Sequence, residues 1–174
     1  AIDPATGGVL AFVSKPGFDP NLFVDGIDSL NWNELNNSPD KPLVNRALNG
    51  TYPPGSTFKP YMALAALTYG KRTPQQTIND PGYFMFGGHQ FRDSRPGGNG
   101  IVDMYTSIVK SSDTYYYMVA NDLGIDAIAR FMAQFGFGSR TGIDISGESA
   151  GVLPSQEWKM RRFNQKWFAG ETIS

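Results

Sequence analysis

Tyr52-Pro53-Pro54-Gly55-Ser56-Thr57-Phe58-Lys59-Pro60 runs directly into Tyr61-Met62-Ala63-Leu64-Ala65-Ala66-Leu67, and the rest of the chain is read outward from this stretch. Pro53 and Pro54 cannot continue a preceding helix, and Gly55 tolerates backbone shapes closed to residues with side chains. The Ala- and Leu-rich run that follows favours helix strongly. The break predicts a helix that starts near Ser56, with Pro60 in its first turn, where a missing N–H does little harm. Ser56 and Lys59 then stand at i and i+3 on one helical face. The free N–H groups and positive dipole end of such a helix point at the Ser56 hydroxyl. A hydroxyl so placed, with a lysine beside it, is one way to build a nucleophile and its base. Gly70 suits a C-terminal cap and Lys71-Arg72 suit the negative dipole end, so the helix is predicted to end near Tyr69-Gly70.

The bulk composition narrows the chemistry. At 174 residues the chain can bury one real core and is too short for two comfortable domains. A net charge of −1 gives no reason to expect nucleic acid as a partner. The sequence has no Cys, which removes disulfides, thiol chemistry and cysteine-ligated metal. His89 is the single histidine, so a histidine zinc site or a Ser-His-Asp triad is not expected. Neither a cofactor nor a metal is predicted. No apolar run of about 18 residues is present and no signal peptide stands at the start, so an export signal or membrane anchor would lie outside these residues. Ala1-Ile2-Asp3-Pro4 opens on structured-looking sequence and Gly170–Ser174 stops without a terminating pattern. The chain therefore reads as a piece of a longer protein, cut at both ends.

The remaining elements follow in order. Asp3-Pro4-Ala5-Thr6-Gly7-Gly8 is a turn signature between Ala1-Ile2 and the apolar run Val9–Val13, which predicts a β-hairpin with a buried second strand. Residues 15–54, rich in Pro, Asn and Asp, read as a surface connection with one short helix near 28–36. Two extended runs flank Gly87-Gly88 between Tyr83 and Asp93, a hairpin signal; His89 reads as a polar residue of that hairpin. Arg95–Gly100 is a loop. A helix is predicted over 102–110 with Asp103 as its cap, broken at Ser111-Ser112-Asp113, then a second over 114–124 and a third over 125–136. Residues 137–155 read as loop and 156–162 as a short helix.

A Ser-x-x-Lys tetrad alone is common, and a serine cap with an exposed lysine is its ordinary explanation. Here it sits at a Pro-Pro-Gly break, and a second Ser-x-Asp, Ser111-Ser112-Asp113, lies 55 positions on at another helix break. The parts fit one scheme. Ser56 attacks a carbonyl to form an acyl-enzyme, and a neutral Lys59 takes its proton. Ser111 relays that proton to the leaving amine, and Asp113 hydrogen-bonds Lys59 and the substrate amide. The Ser56 N–H would supply half of an oxyanion hole.

Ala1–Ala11, Lys15-Pro16-Gly17-Phe18-Asp19-Pro20-Asn21, Asn45-Arg46-Ala47 and Tyr52–Lys59 together closely resemble the transpeptidase domain of class B penicillin-binding proteins. Ser111-Ser112-Asp113, with Gly142-Ile143-Asp144 and Gly147-Glu148, is most similar to the elongation-specific members of Gram-negative bacteria. The resemblance covers essentially the whole chain. It implies the mixed α/β fold shared by penicillin-binding proteins and serine β-lactamases, here in part: a helical subdomain plus the first strands of an antiparallel sheet, with residues 1–174 as the N-terminal part of one domain. It implies a D,D-transpeptidase that cross-links peptidoglycan on the periplasmic face of the inner membrane. Ser56, Lys59, Ser111 and Asp113 would be catalytic, and Ser56, Ser111 and Asp113 would also meet the substrate. Stem peptides and β-lactams would bind, and a membrane glycosyltransferase and elongation-complex proteins would be partners of the longer protein.

Two departures from the family pattern stand out. Asp113 replaces the usual Asn, and an anionic carboxylate beside Lys59 favours the charged lysine, so Lys59, Ser111 and Asp113 are expected to share protons as one unit. The family's third motif, Lys-Thr/Ser-Gly, is not among these residues; the resemblance implies that it follows shortly after Gly170–Ser174. The 174 residues alone are accordingly expected to react very poorly with penicillin, and unpaired strand edges are expected to be sticky. A serine β-lactamase or β-lactam sensor, and a binding module in which Ser56 only caps a helix, are the alternatives. Acyl-enzyme lifetime separates the first and Ser56→Ala the second.

Overall fold

Asp28, Asn45, Asp103, Ser112 and Ser155 each open a helix with a side-chain oxygen that accepts backbone N–H groups, in the computed structural model that describes residues 1–173. The chain divides into two units. The first joins residues 1–52 with 140–150, and the second joins 53–139 with the residues from Gly151 on.

In the first unit the helices are α1 (Ser29–Asn37) and the single turn α2 (Arg46–Asn49). A 3-10 turn, Pro20–Phe23, precedes α1. The connection predicted over residues 15–54 thus carries its expected helix, together with two short turns whose Asp and Asn caps had no apolar periodicity to accompany them. The unit is closed by the returning segment: Ser149 N donates to Leu48 O at 2.9 Å, and Asn49 Nδ2 donates to Gly147 O. Leu48 is the buried residue of α2. The opening hairpin is corrected in part. Its turn forms, with Asp3 N donating to Gly8 O at 2.9 Å, but Ile2 and Val9 make only an isolated bridge. Val9, Leu10 and Val13 are exposed rather than buried, because no further strand pairs with or covers them among the described residues.

The second unit holds the main core. The helices α3 (Lys59–Thr68), α4 (Met104–Val109), α5 (Asp113–Leu123), α6 (Ile125–Ala133) and α7 (Gln156–Phe163) are joined by two antiparallel ribbons. One ribbon pairs β1 (Ile78–Asp80) with β4 (Gly100–Val102), and the other pairs β2 (Tyr83–Phe86) with β3 (His89–Arg92). Ala65 and Ala66 of α3 are fully buried, and their small side chains let α3 pack closely on Tyr115, Tyr116 and Val119 of α5 and on Met132 of α6. The hairpin around Gly87-Gly88 forms as expected, with both glycines at positive φ. The helix predicted over 102–110 begins two residues later, because Val102 is fully buried as the last residue of β4.

The start of α3 is also corrected. Gly55–Phe58 form a 3-10 turn, and the α-helix proper begins at Lys59 with Pro60 behind it. Its C-terminus follows expectation: Lys71 N donates to Ala66 O at 2.8 Å and Gly70 N to Leu67 O at 3.1 Å, with Gly70 at φ +64. No helix among the described residues is long and apolar enough to cross a membrane.

Candidate active site

Pro54 and Gly55 bend the backbone into the 3-10 turn, and Thr57 Oγ1 donates to Pro54 O at 2.6 Å to hold it closed. This leaves Ser56 exposed on the turn and places Lys59 three residues on, with its side chain only 11% exposed. Opposite them, α4 ends at Val109, the chain turns through Ser111, and α5 starts at Asp113. Ser111 has φ +54, a conformation that side-chain-bearing residues rarely adopt. Ser112 caps α5 by accepting Tyr115 N at 3.2 Å.

These two turns meet in one line of hydrogen bonds. Lys59 Nζ donates to Ser111 O at 2.7 Å, to Ser111 Oγ at 3.0 Å and to Asp113 Oδ1 at 2.5 Å. All three donors of an ammonium are thereby used. Ser111 Oγ in turn donates to Ser56 Oγ at 2.8 Å. The four residues singled out from sequence are thus contiguous, and Lys59 reaches Ser56 through Ser111. Lys59 also lies 5.9 Å from the ring centre of Tyr116, whose phenol burial pushes up to about 12.

Burial alone would raise the Asp113 carboxyl. The Lys59 hydrogen bond, the Ser94 N–H and the Lys59 charge outweigh it and hold the group below its ordinary value, so it is a carboxylate. Ser94 N donates to Asp113 Oδ2 at 2.9 Å, so both carboxylate oxygens have partners within the chain.

Sequence reasoning passed over Asp80, Asp93, Ser94 and Asn99, which surround the Ser111–Thr114 turn. Ser112 Oγ donates to Asp80 Oδ2 at 2.7 Å, Asn99 Nδ2 donates to the same oxygen at 2.8 Å, and Thr114 N donates to Asp93 Oδ2 at 2.9 Å. The available signal was weak: Asp80-Pro81-Gly82 and Asp93-Ser94 flank the β2–β3 hairpin and look like ordinary turn residues. His89 is exposed and sets its ring edge-on against Phe91, 4.9 Å between centres. No group of metal-binding side chains is found among the described residues.

The structure thus sets a Ser-x-x-Lys turn against a Ser-Ser-Asp turn on a module of helices and short antiparallel ribbons. The chain belongs to the penicillin-binding protein transpeptidase domain family, whose model matches residues 1–173. It is 52% identical to peptidoglycan D,D-transpeptidase MrdA of Acinetobacter baumannii across 100% of this chain, and it spans only 26% of that relative. The crystal structure of Pseudomonas aeruginosa PBP2 in complex with WCK 5153 superposes with a TM-score of 0.92 at 48% identity, covering 99% of this chain and 40% of that one. Helicobacter pylori PBP2, solved in complex with MreC, gives a TM-score of 0.88 at 36% identity, covering 92% of this chain and 30% of that one. The partial transpeptidase fold expected from sequence is the fold observed.

Proposed function

We propose that the protein carrying this chain is a serine D,D-transpeptidase that cross-links peptidoglycan during cell elongation, and that Ser56 is its nucleophile. The carrying observation is the unbroken line Lys59 Nζ–Ser111 Oγ–Ser56 Oγ, at 3.0 and 2.8 Å, with Ser56 at its exposed end. Kinship with MrdA and PBP2 supports the substrate class.

In the forward step the Ser56 Oγ bonds to the carbonyl carbon of the penultimate D-alanine of a stem peptide, and the peptide C–N bond to the last D-alanine breaks. The Ser56 proton passes to Ser111 Oγ while the Ser111 proton passes to Lys59, and as the C–N bond breaks Lys59 returns a proton through Ser111 to the departing amine. For this the hydrogen bonds at Ser111 reverse, which a Lys59 that has given up one proton permits by accepting rather than donating. Asp113 keeps the lysine in place through its charge. An amine of a neighbouring stem then attacks the acyl carbon, and Ser56 is released. A β-lactam opens on the same hydroxyl, and the ring's own amine stays attached, blocking the exit. The Ser56 N–H serves as one oxyanion donor. In this reading the whole protein works at the outer face of the bacterial inner membrane, joined to a glycan-polymerising partner and to elongation proteins. The existence of a PBP2–MreC complex in Helicobacter pylori supports the last of these.

The test is covalent labelling of the full-length protein by a fluorescent penicillin. Ser56→Ala is expected to abolish it with an unchanged melting temperature, and the wild-type adduct is expected to outlast hours. Persistent labelling of Ser56→Ala refutes the assignment, and an adduct that hydrolyses within seconds points to a β-lactamase.

A further inference from the structure

Three consecutive residues of the Ser111–Thr114 turn are gripped from one side. Ser112 donates to Asp80, Ser94 N donates to Asp113, and Thr114 N donates to Asp93, at 2.7, 2.9 and 2.9 Å. The gripping residues sit at the two feet of the β2–β3 hairpin, which are themselves tied together. Asp93 N donates to Gly82 O at 2.8 Å, and Gly82 N donates to Asp80 Oδ1 at 2.9 Å. Asp80 is 1% exposed and Asp93 9% exposed, and among the described residues neither forms an ion pair. Their charge is met instead by neutral donors: Ser112 Oγ, Asn99 Nδ2 and Gly82 N at Asp80, and Thr114 N, Arg95 N and the Ser94 hydroxyl at Asp93. A buried carboxylate is costly unless hydrogen bonds satisfy it. Two of them satisfied in this way form a stiff frame of short, directional contacts.

Ser111 stands at the edge of that frame with φ +54. A serine keeps such a conformation only when its surroundings over-determine it. The next residue, Ser112, is held by both its hydroxyl contacts: to Asp80 as a donor and to Tyr115 N as an acceptor. We propose that Asp80 is a positioning residue for acyl transfer, which acts through Ser112 to lock Ser111 in its left-handed conformation and so keeps Ser111 Oγ within hydrogen-bond reach of Ser56, with Asp93 as the second anchor. The proposal rests on the transpeptidase reading of Ser56.

The experiment measures the second-order rate of acylation by fluorescent penicillin in the full-length protein, together with the melting temperature. The variants are Asp80→Ala, Asp80→Asn and Ser112→Ala, each alone and on a Ser111→Ala background. Because misplacing a reacting group by about 1 Å costs on the order of a hundredfold, Asp80→Ala is expected to slow acylation by about that factor. Asp80→Asn retains an acceptor towards Ser112 and is expected to recover about tenfold of the loss. On the Ser111→Ala background Asp80→Ala is expected to cost nothing further, since the group it positions is gone. Ser112→Ala leaves Asp80 its other two donors and repeats the loss in a folded protein, should Asp80→Ala not fold. Equal losses on both backgrounds, or an unchanged rate in Ser112→Ala, overturn the proposal. If Ser56→Ala still labels, the transpeptidase reading fails by itself. If Ser56→Ala is silent while Ser112→Ala labels at the wild-type rate, only the positioning role fails.

Discussion

Asp113 shows how much one oxygen-for-nitrogen exchange can mean at a single position. With a carboxylate here, the Lys59 ammonium finds three acceptors at once, two on Ser111 and one on Asp113. The resting site is therefore loaded with protons, and the Ser56 hydroxyl is the last acceptor in the line rather than a donor. Replacing Asp113 by Asn removes the charge that favours the ammonium while keeping a hydrogen-bonding group of the same shape. The ascending limb of the acylation rate against pH is expected to move to lower pH in Asp113→Asn, and a limb that stays in place dismisses shared protonation of the Lys59, Ser111 and Asp113 unit. All four residues were legible in the chain because each motif stands at a helix break marked by Pro-Pro-Gly or by a capping serine. What was not legible was the connection between them. The spacing along the helix suggested Lys59 acting directly on Ser56, whereas the 3-10 turn places Ser111 between them in the hydrogen-bond line.

At the level of elements, capping chemistry was read more easily than short strands. Asp103 was identified as a cap, and it forms a reciprocal box: Asp103 Oδ1 accepts Thr106 N at 2.8 Å while Asp103 N donates to Thr106 Oγ1 at 2.9 Å. Asp103→Ala is expected to destabilise the protein by about 1 kcal/mol. Urea unfolding would show this as a lower midpoint with an unchanged slope, and a midpoint within error of wild type contradicts it. The strands β1 and β4 escaped notice because each is three residues long and reads as turn sequence: Ile78-Asn79-Asp80 and Gly100-Ile101-Val102. Nothing local distinguishes them from loop; their pairing across about twenty residues makes them strands. The opening run Val9–Val13 has the converse problem. It has strand-forming residues, but a strand is made by its neighbours, and among the described residues it pairs through the isolated Ile2–Val9 bridge and the hydrogen bonds of Ala1 to Leu10 and Ala11.

Across the whole molecule, Asp3, Asp28, Asp80, Asp103 and Asp113 are held below their ordinary value of 3.8, and Glu148 and Glu171 below 4.5. Different partners act in each case. Asp80 is pushed up by burial and pulled further down by Asn99, Ser112 and Gly82. Glu171 is lowered first by Lys159, and Asp3 and Asp103 by Thr6 and Thr106. A carboxyl whose value is lower in the folded state contributes stability that is complete above its unfolded value and is lost as pH falls through the folded one. Stability is therefore expected to be flat from neutrality down to about pH 5 and to fall progressively below 4.5, through and beyond 3.8. Circular dichroism melts across that range check the sign, and a melting temperature that rises on acidification contradicts it.

The closure of the first unit has a bearing on how the chain is made. Leu48 offers its carbonyl to Ser149, and Asn49 reaches Gly147, so α2 waits for partners that leave the ribosome about a hundred residues later. At elongation speeds of about 5–20 residues per second, that wait lasts on the order of 5–20 s. For this interval the apolar residues of the early segment are translated but unclosed, while α3, α4, α5 and α6 are already emerging. Among these residues the segment that carries α2 is thus made early and secured late.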